Sequence, residues 1–354
     1  MKLYHGDCLE ELKKLEDNSV DAVIADPPYG LSNTKPQQVA DVLRAWVTGD
    51  TESVPAKRGG FMGKDWDSFV PPPAVWEECM RVLKPGGHMA VFAGTRTQDL
   101  MGLSIRLAGF EIRDTLGWVY GSGFPKSHNI SKAIDKATAA EREEIATSEA
   151  QQWDGWGTSL KPAIEPILLC RKPLDGTVAN NVLAHGVGGL NIDACRVGTN
   201  QPLVRPSISR DDNDVFGKGL GAGVQEEPAG RFPANVLLDE HAAKEMDNQS
   251  DESSRFFPVF KYQAKASKKE RPVIEREDGS KIQHPTVKPV ALMEWLVELI
   301  TPPGGVVLDP FAGSGTTLQA ARDNGFNAIG IEQDADYIKL IEKRLEATCT
   351  THKN

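Results

Sequence analysis

Two short apolar runs, far apart in the chain, constrain its fold more than any other feature. Val20-Asp21-Ala22-Val23-Ile24-Ala25 stops at Asp26 and opens into Pro27-Pro28-Tyr29. Val306-Val307-Leu308 stops at Asp309 and opens into Pro310-Phe311-Ala312-Gly313-Ser314-Gly315-Thr316-Thr317. Each reads as a buried strand that ends in an acid and a specialised loop. Helical and strand-like segments alternate around both runs. A helix is expected over Ala74–Val82, stopped by a turn at Leu83-Lys84-Pro85-Gly86-Gly87, with a strand over His88–Ala93. A helix follows over Thr97–Ala108, closed by Gly109, and strand-like segments lie at Glu111–Trp118 and Pro166–Cys170. Towards the end come a helix over Val290–Ile300, a turn at Pro302-Pro303-Gly304-Gly305 and a strand over Val306–Asp309. A helix over Thr316–Asn324, a strand over Asn327–Glu332 and a helix over Asp334–Thr348, with Asp334 as N-cap, complete the chain. Such alternation predicts an α/β fold with a doubly wound, mostly parallel sheet.

Between 173 and 283 the character changes. Gly, Pro, Asn and Asp are frequent, helical periodicity is weak, and Gly217–Gly223 reads as a flexible loop. An irregular inserted region is expected there, between sheet-forming parts at 1–172 and 284–347, with a frayed tail at 348–354.

Charge and cysteine usage narrow the function classes. A net charge of -10 argues against a protein that coats nucleic acid over its whole surface, but a groove needs only local positive charge. From Arg255 to Arg271 the basic residues Arg255, Lys261, Lys265, Lys268, Lys269 and Arg271 face one acid, Glu270, with Phe256, Phe257, Phe260 and Tyr262 interleaved. That composition suits phosphate contact and base stacking, or else an ordinary solvated face. The five cysteines are scattered without a paired spacing, so neither zinc ligation nor a disulfide framework is expected, and no bound metal. The apolar runs are short and the first residues lack an apolar leader, so a cytoplasmic protein with no membrane span is expected.

The two loops carry different chemistry. In Gly313-Ser314-Gly315 the backbone can approach a ligand closely, and a helix beginning near Thr316 offers unpaired N–H groups. The third glycine of a dinucleotide fingerprint is absent. Glu332 ends the next strand, where a carboxylate can take both hydroxyls of a ribose. A nucleoside-bearing cofactor without a pyrophosphate fits this set. In Asp26-Pro27-Pro28-Tyr29 two prolines fix the backbone and remove two donors. The Asp26 carboxylate and the Pro27 carbonyl can hold both hydrogens of an amine, and Tyr29 offers a face for a planar base.

With these residues in place the chain resembles the amino-methyltransferases that use S-adenosylmethionine to methylate adenine N6 or cytosine N4 in DNA. It is similar to the beta class in particular, where the catalytic motif comes first, the target-recognition region next and the cofactor motif last. Tyr4-His5-Gly6-Asp7-Cys8, Leu83–Gly87, Gly123-Phe124-Pro125-Lys126-Ser127 and His284-Pro285-Thr286-Val287-Lys288-Pro289 also fit. The inserted segments Gly188–Asp193 and Gly230–Asn235 resemble those of phage and prophage DNA methylases. The resemblance implies a Rossmann-like class I methyltransferase fold and double-stranded DNA as partner. A homodimer and a companion restriction nuclease are both compatible with it. Asp26, Pro27, Pro28 and Tyr29 would form the catalytic grip on a base flipped from the duplex. Asp309, Phe311, Gly313, Gly315 and Thr316 would line the S-adenosylmethionine pocket, Glu332 would bind its ribose, and Asp7 would lie near its adenine. Thr286 and Lys288 would hold its methionine end. Lys126, Lys261, Lys265, Lys268, Lys269 and Arg271 would contact DNA. Asp as the first motif residue favours adenine N6 over cytosine N4. The rivals are amine methylation in RNA or in protein glutamine and, from another class, a DNA-binding protein that has lost catalysis.

Overall fold

The computed structural model of the chain describes residues 1–32, 34–55, 67–121, 123, 125, 127–137, 147–198, 230–260, 271–276 and 278–346. The first half contains β1 (Lys2–His5), α1 (Cys8–Leu12), β2 (Val20–Ala25), α2 (Pro36–Val47), α3 (Pro73–Val82), β3 (Leu83–Phe92), α4 (Gln98–Leu107), β4 (Glu111–Val119), α5 (Ile130–Ala137), α6 (Ser148–Gln151) and β5 (Ile164–Arg171). There follow α7 (Val178–His185), β6 (Val236–Asp239), α8 (Glu240–Gln249), β7 (Val259–Phe260), β8 (Ile274–Glu275), β9 (Lys281–Ile282), α9 (Val290–Ile300), β10 (Val306–Asp309), α10 (Thr316–Asp323), β11 (Asn327–Glu332) and α11 (Ala335–Glu346).

Nine strands form one sheet in the order β1-β11-β10-β2-β3-β5-β4-β6-β7. Every pairing is parallel except the two made by β5, which runs antiparallel to β3 and β4. β2 is buried at all six positions, and its side chains divide between two layers. Val23 and Ala25 join a core built with Val42 and Trp46 of α2, Trp76 and Cys79 of α3, and Met101 and Ile105 of α4. Ala22 and Ile24 join the opposite core, with Leu292 and Leu296 of α9, Leu318 of α10 and Ile341 of α11. Alternate side chains of a strand point to opposite faces, so a run that is apolar at nearly every position demands cover on both. Each fully buried Leu or Ile is worth roughly 1.5–3 kcal/mol, so neither face can be left to water. The result is a doubly wound sheet.

The one acid inside β2 is accounted for. Asp21 is buried, its Oδ1 accepts from Lys84 Nζ at 2.6 Å, and its Oδ2 accepts from the Val306 N–H at 2.7 Å. It ties the starts of β3 and β10 to β2, at the edge opposite their carboxyl ends.

Three features differ from expectation. Leu83–Gly87 is not a turn between elements but the bulged opening of β3: two steps along β2 (Val20 to Ala22) span five along β3 (Leu83 to His88). The stretch expected to be irregular supplies β6 and β7 to the main sheet. It also forms α7 and α8, which bury little and are started by side-chain caps, Thr177 accepting from the Asn180 N–H and Asp239 from the Ala242 N–H. Asp334 does cap α11, its Oδ1 accepting from the Asp336 N–H at 2.9 Å. The expected tail lies outside the described residues.

Candidate active site

β10 and β2 are parallel neighbours, with Val307 opposite Ala22 and Leu308 opposite Val23. From β2 the chain crosses one face through α2 and α3 to β3. From β10 it crosses the other face through α10 to β11. The two strands therefore flank the switch point of the sheet, where departing loops leave a crevice beyond the carboxyl ends. A cavity of about 1150 Å³ lies there. Its wall includes Asp26, Pro27, Pro28 and Tyr29 from one motif and Asp309, Phe311, Gly313 and Thr316 from the other, together with Asp7, Thr286, Lys288 and Glu332. Gly315 is the exception among the expected cofactor residues. It caps α10 with φ +77°, and a Cβ there would sit 3.1 Å from the Ile341 side chain, so it serves the close approach of α11 to α10.

The loop after β2 is held from three sides. The Asp67 carboxylate, buried, accepts from the Gly30 N–H at 3.0 Å. The Thr97 hydroxyl donates to the Tyr29 carbonyl at 2.6 Å. Gly30 itself has φ +65°, and a Cβ there would lie 2.7 Å from the Val70 nitrogen, so only glycine fits. Burial pushes the Asp67 carboxyl up, partly countered by the backbone N–H groups it accepts.

Inside the cavity four side chains converge. The Lys288 ammonium lies 2.9 Å from Asp26 Oδ1 and 3.1 Å from Glu165 Oε2, and donates to the Tyr29 hydroxyl at 2.9 Å. The Tyr29 hydroxyl stands 2.9 Å from Asp26 Oδ1 and 3.2 Å from Glu165 Oε2, and its single proton can go to either. Burial works to lower the Lys288 pKa, but the two carboxylates outweigh it and hold it above its ordinary value. Burial first, then the same carboxylates, push the Tyr29 phenol well up, so it is protonated at neutral pH. The Lys288 ammonium thus stands against Asp26, Glu165 and Tyr29, in the cavity that Asp309, Gly313 and Glu332 also line. Both contacts to Asp26 fall on Oδ1; among the described residues none reaches Oδ2.

The other side of the cavity is a set of acids satisfied by backbone. Glu332 accepts from the Gly313 N–H and the Asp334 N–H, both at 2.8 Å, one on each oxygen, and each oxygen retains a further lone pair. Burial pushes its carboxyl up. Asp309, almost wholly buried, accepts from the Phe311 N–H at 3.0 Å, and burial pushes its pKa up to about 7. Asp7 is the N-cap of α1 and accepts from the Leu9 and Glu10 N–H groups. The His284 ring bonds the Thr286 carbonyl, stands 4.6 Å edge-on from the Tyr337 ring, and faces Gly313, where a Cβ would lie 3.1 Å from Nε2.

Sequence reasoning missed Glu165, Asp67, Thr97 and His284 as site residues. For Glu165 there was a signal: an acid opens the apolar strand Ile164-Glu165-Pro166-Ile167. Because β5 is antiparallel, its first residues reach the edge where β2 and β10 end. Of the expected DNA contacts, Lys126, Lys261, Lys265, Lys268 and Lys269 lie outside the described residues, and Arg271 lines the cavity. The basic and aromatic run is divided by β7. Arg255 and Phe256 precede that strand, where Arg231 and Arg255 stand 5.1 and 5.0 Å from the Phe256 ring centroid.

A family model, N6_N4_Mtase, described as DNA methylase, matches residues 20–343. The chain belongs to that family. This methylase is 27% identical over 364 residues to the Type II methyltransferase M.HindIII of Haemophilus influenzae, across 97% of this chain and 94% of the relative. It is 27% identical over 344 residues to DNA adenine methyltransferase YhdJ of Escherichia coli, across 97% of this chain and 82% of the relative. Among solved structures it is similar in fold to PvuII DNA methyltransferase (cytosine-N4-specific), with a TM-score of 0.52 and 15% identity, across 99% of this chain and 87% of the other. The family depends on S-adenosylmethionine. The cavity of this methylase suits such a group: Gly313, at φ +50°, leaves the wall without a Cβ where His284 stands close, and the Glu332 oxygens keep acceptor capacity. Among the described residues no helix is long and apolar enough to cross a membrane.

Proposed function

We propose that this methylase transfers a methyl group to the N6 amine of adenine in duplex DNA, on a base flipped out of the helix. The observation that carries the reading is that both motifs line one cavity at the β2–β10 switch point, with Asp26 Oδ1 held and, among the described residues, no contact on Oδ2. S-adenosylmethionine supplies a methyl group made electrophilic by its sulfonium. Glu332, Asp7, Asp309, Phe311, Gly313, Thr316 and Thr286 would hold it along the β10 and β11 side. Tyr29 gives the flipped base a stacking face. Asp26 Oδ2 and the Pro27 carbonyl accept the two amine hydrogens, which turns the nitrogen lone pair out of conjugation and towards the methyl group. The amine nitrogen would shed one proton as it takes the methyl group from the sulfonium, and the Asp26 carboxylate is the adjacent base for it. The enzyme's share of the rate is positioning and fixed charge. Lys288 acts here as the cation that holds Asp26 and Tyr29.

Two observations favour adenine over cytosine. The motif begins with Asp, and a relative matched over nearly the whole chain is named an adenine methyltransferase. The match to a Type II methyltransferase extends the proposal to a companion restriction nuclease. Single-molecule sequencing of DNA from cells expressing the chain tests the reading. N6-methyladenine at one sequence context is expected. N4-methylcytosine alone overturns the choice of base, and unmodified DNA despite titratable S-adenosylmethionine binding supports a binding-only protein.

A further inference from the structure

The proposed mechanism uses Asp26 and Tyr29 but gives no task to Glu165, an acid of the cavity wall that touches both Tyr29 and Lys288. Glu165 sits at the second position of β5, a strand otherwise buried from Pro166 to Arg171, and its side chain leaves that apolar run to enter the cavity. Among the described residues it makes two contacts there, both through Oε2: 3.1 Å to the Lys288 ammonium and 3.2 Å to the Tyr29 hydroxyl. These two groups are also the two that hold Asp26 Oδ1, at 2.9 Å each. Glu165 therefore reaches Asp26 only through shared partners.

We infer that Glu165 is a positioning residue for methyl transfer: a second carboxylate that shares Lys288 and Tyr29 with Asp26 and so keeps Asp26 oriented and free to accept the amine. This rests on the reaction proposed above. The argument is one of charge and geometry. An ammonium facing a single carboxylate draws that carboxylate into a close pair and competes with any weaker donor for it. A neutral amine is such a donor. A second carboxylate divides the pull and fixes the cation between the two, so the cation orients Asp26 without capping it. The Lys288 ammonium also lies 4.7 Å from the Phe92 ring centroid and 5.3 Å from that of Tyr29, which confines its side. Three donors of one ammonium are then directed at three oxygens. Without Glu165 the ammonium has one carboxylate left, and Tyr29 loses one of its two acceptors. The ring that would carry the base loses part of its anchoring in the same step.

The test is a double-mutant cycle on the full-length protein with duplex DNA and S-adenosylmethionine. Glu165→Gln keeps the shape and removes the charge. It is expected to lower kcat about 10- to 100-fold, the usual scale for misplacing a reacting group. S-adenosylmethionine affinity by calorimetry and KM for DNA should stay within about threefold, since uniform binding is untouched. In a Lys288→Met background the same change should cost less than about threefold, because the cation through which Glu165 acts on Asp26 is gone. Glu165→Asp, which keeps the charge at shorter reach, should recover part of kcat and melt as the unmodified protein does, which covers the case in which the Gln variant is unstable. Unchanged kcat in Glu165→Gln overturns the inference, as does an equal loss in both backgrounds. A fully active Asp26→Ala protein would instead remove the reaction on which the inference stands.

Discussion

Asp309 is a carboxyl group that burial keeps ready to hold its proton, and replacing it with Asn should change how stability depends on pH. Its pKa is pushed up from 3.8 to about 7, chiefly by burial, with Asp26 and Glu332 adding repulsion and the Thr317 hydroxyl and Phe311 N–H working against it. In the unfolded chain the carboxyl ionises near 3.9. Between about pH 4 and pH 7 the folded state therefore binds more protons than the unfolded state. Stability from this group is fully present below the unfolded pKa and is lost as pH rises through the folded one. At ~1.4 kcal/mol per tenfold change in proton affinity, the limit is about 4 kcal/mol lost by pH 8. Water entry and relaxation around the charge reduce this to about 1–3 kcal/mol. Asn cannot ionise, and its Oδ1 can still accept from the Phe311 N–H. Urea unfolding of both proteins without cofactor, from pH 5 to pH 8.5, isolates the effect, since all other titrating groups are common. The expected result is a gap in favour of Asp309→Asn that widens by about 1–3 kcal/mol over that range. A gap that is flat with pH would refute the argument that Asp309 is buried with a raised pKa.

Other outcomes follow from the same contacts. Asp26→Ala should cut methyl transfer by about 10²-fold or more in kcat while S-adenosylmethionine titration stays near the unmodified protein, as loss of a group acting on the amine requires. Gly30→Ala should lower stability by about 1–3 kcal/mol in denaturant melts, combining the left-handed backbone cost of roughly 1–2 kcal/mol with a Cβ at 2.7 Å from the Val70 nitrogen. Asp67→Ala should leave buried N–H groups of the catalytic loop unpaired, at about 1–3 kcal/mol, and lower kcat more than it weakens cofactor binding. Lys288→Met should leave Asp26 and Glu165 without the cation between them and lower kcat by about 10-fold or more in the methyl-transfer assay, as loss of an orienting contact requires.

Much of this molecule is legible in the linear chain, and the rest is hidden for identifiable reasons. Val20–Ala25 and Val306–Asp309 announce themselves because a strand covered on both faces is apolar throughout, and because the residues after it are chemically unusual. Their placement side by side is not written in that pattern, because alternation leaves the strand order open, and the pairing of β10 with β2 supplies it. The other half of the site leaves little local trace. Asp67 and Thr97 clamp the loop after β2 from about 40 and 70 residues away, and in the chain they are an ordinary Asp and an ordinary Thr. Glu165 gains meaning only once β5 is known to run antiparallel. α8 escapes periodicity because Ala243 is its one buried residue among the described positions, so its apolar stripe is nearly absent. Lys288 lies between these cases: its motif is visible, but its partners, two carboxylates and a phenol, come from strands and loops that only the fold brings together.

The central claim is that the cavity between β2 and β10 places Asp26 on the amine of a flipped adenine. Mass spectrometry of nucleosides from duplex DNA, after incubation with the purified protein and methyl-deuterated S-adenosylmethionine, tests it most directly. N6-methyladenine carrying the labelled methyl group, present with the unmodified protein and lost with Asp26→Ala, is the predicted result. Label found on N4-methylcytosine, or equal label on adenine from both proteins, would contradict the account.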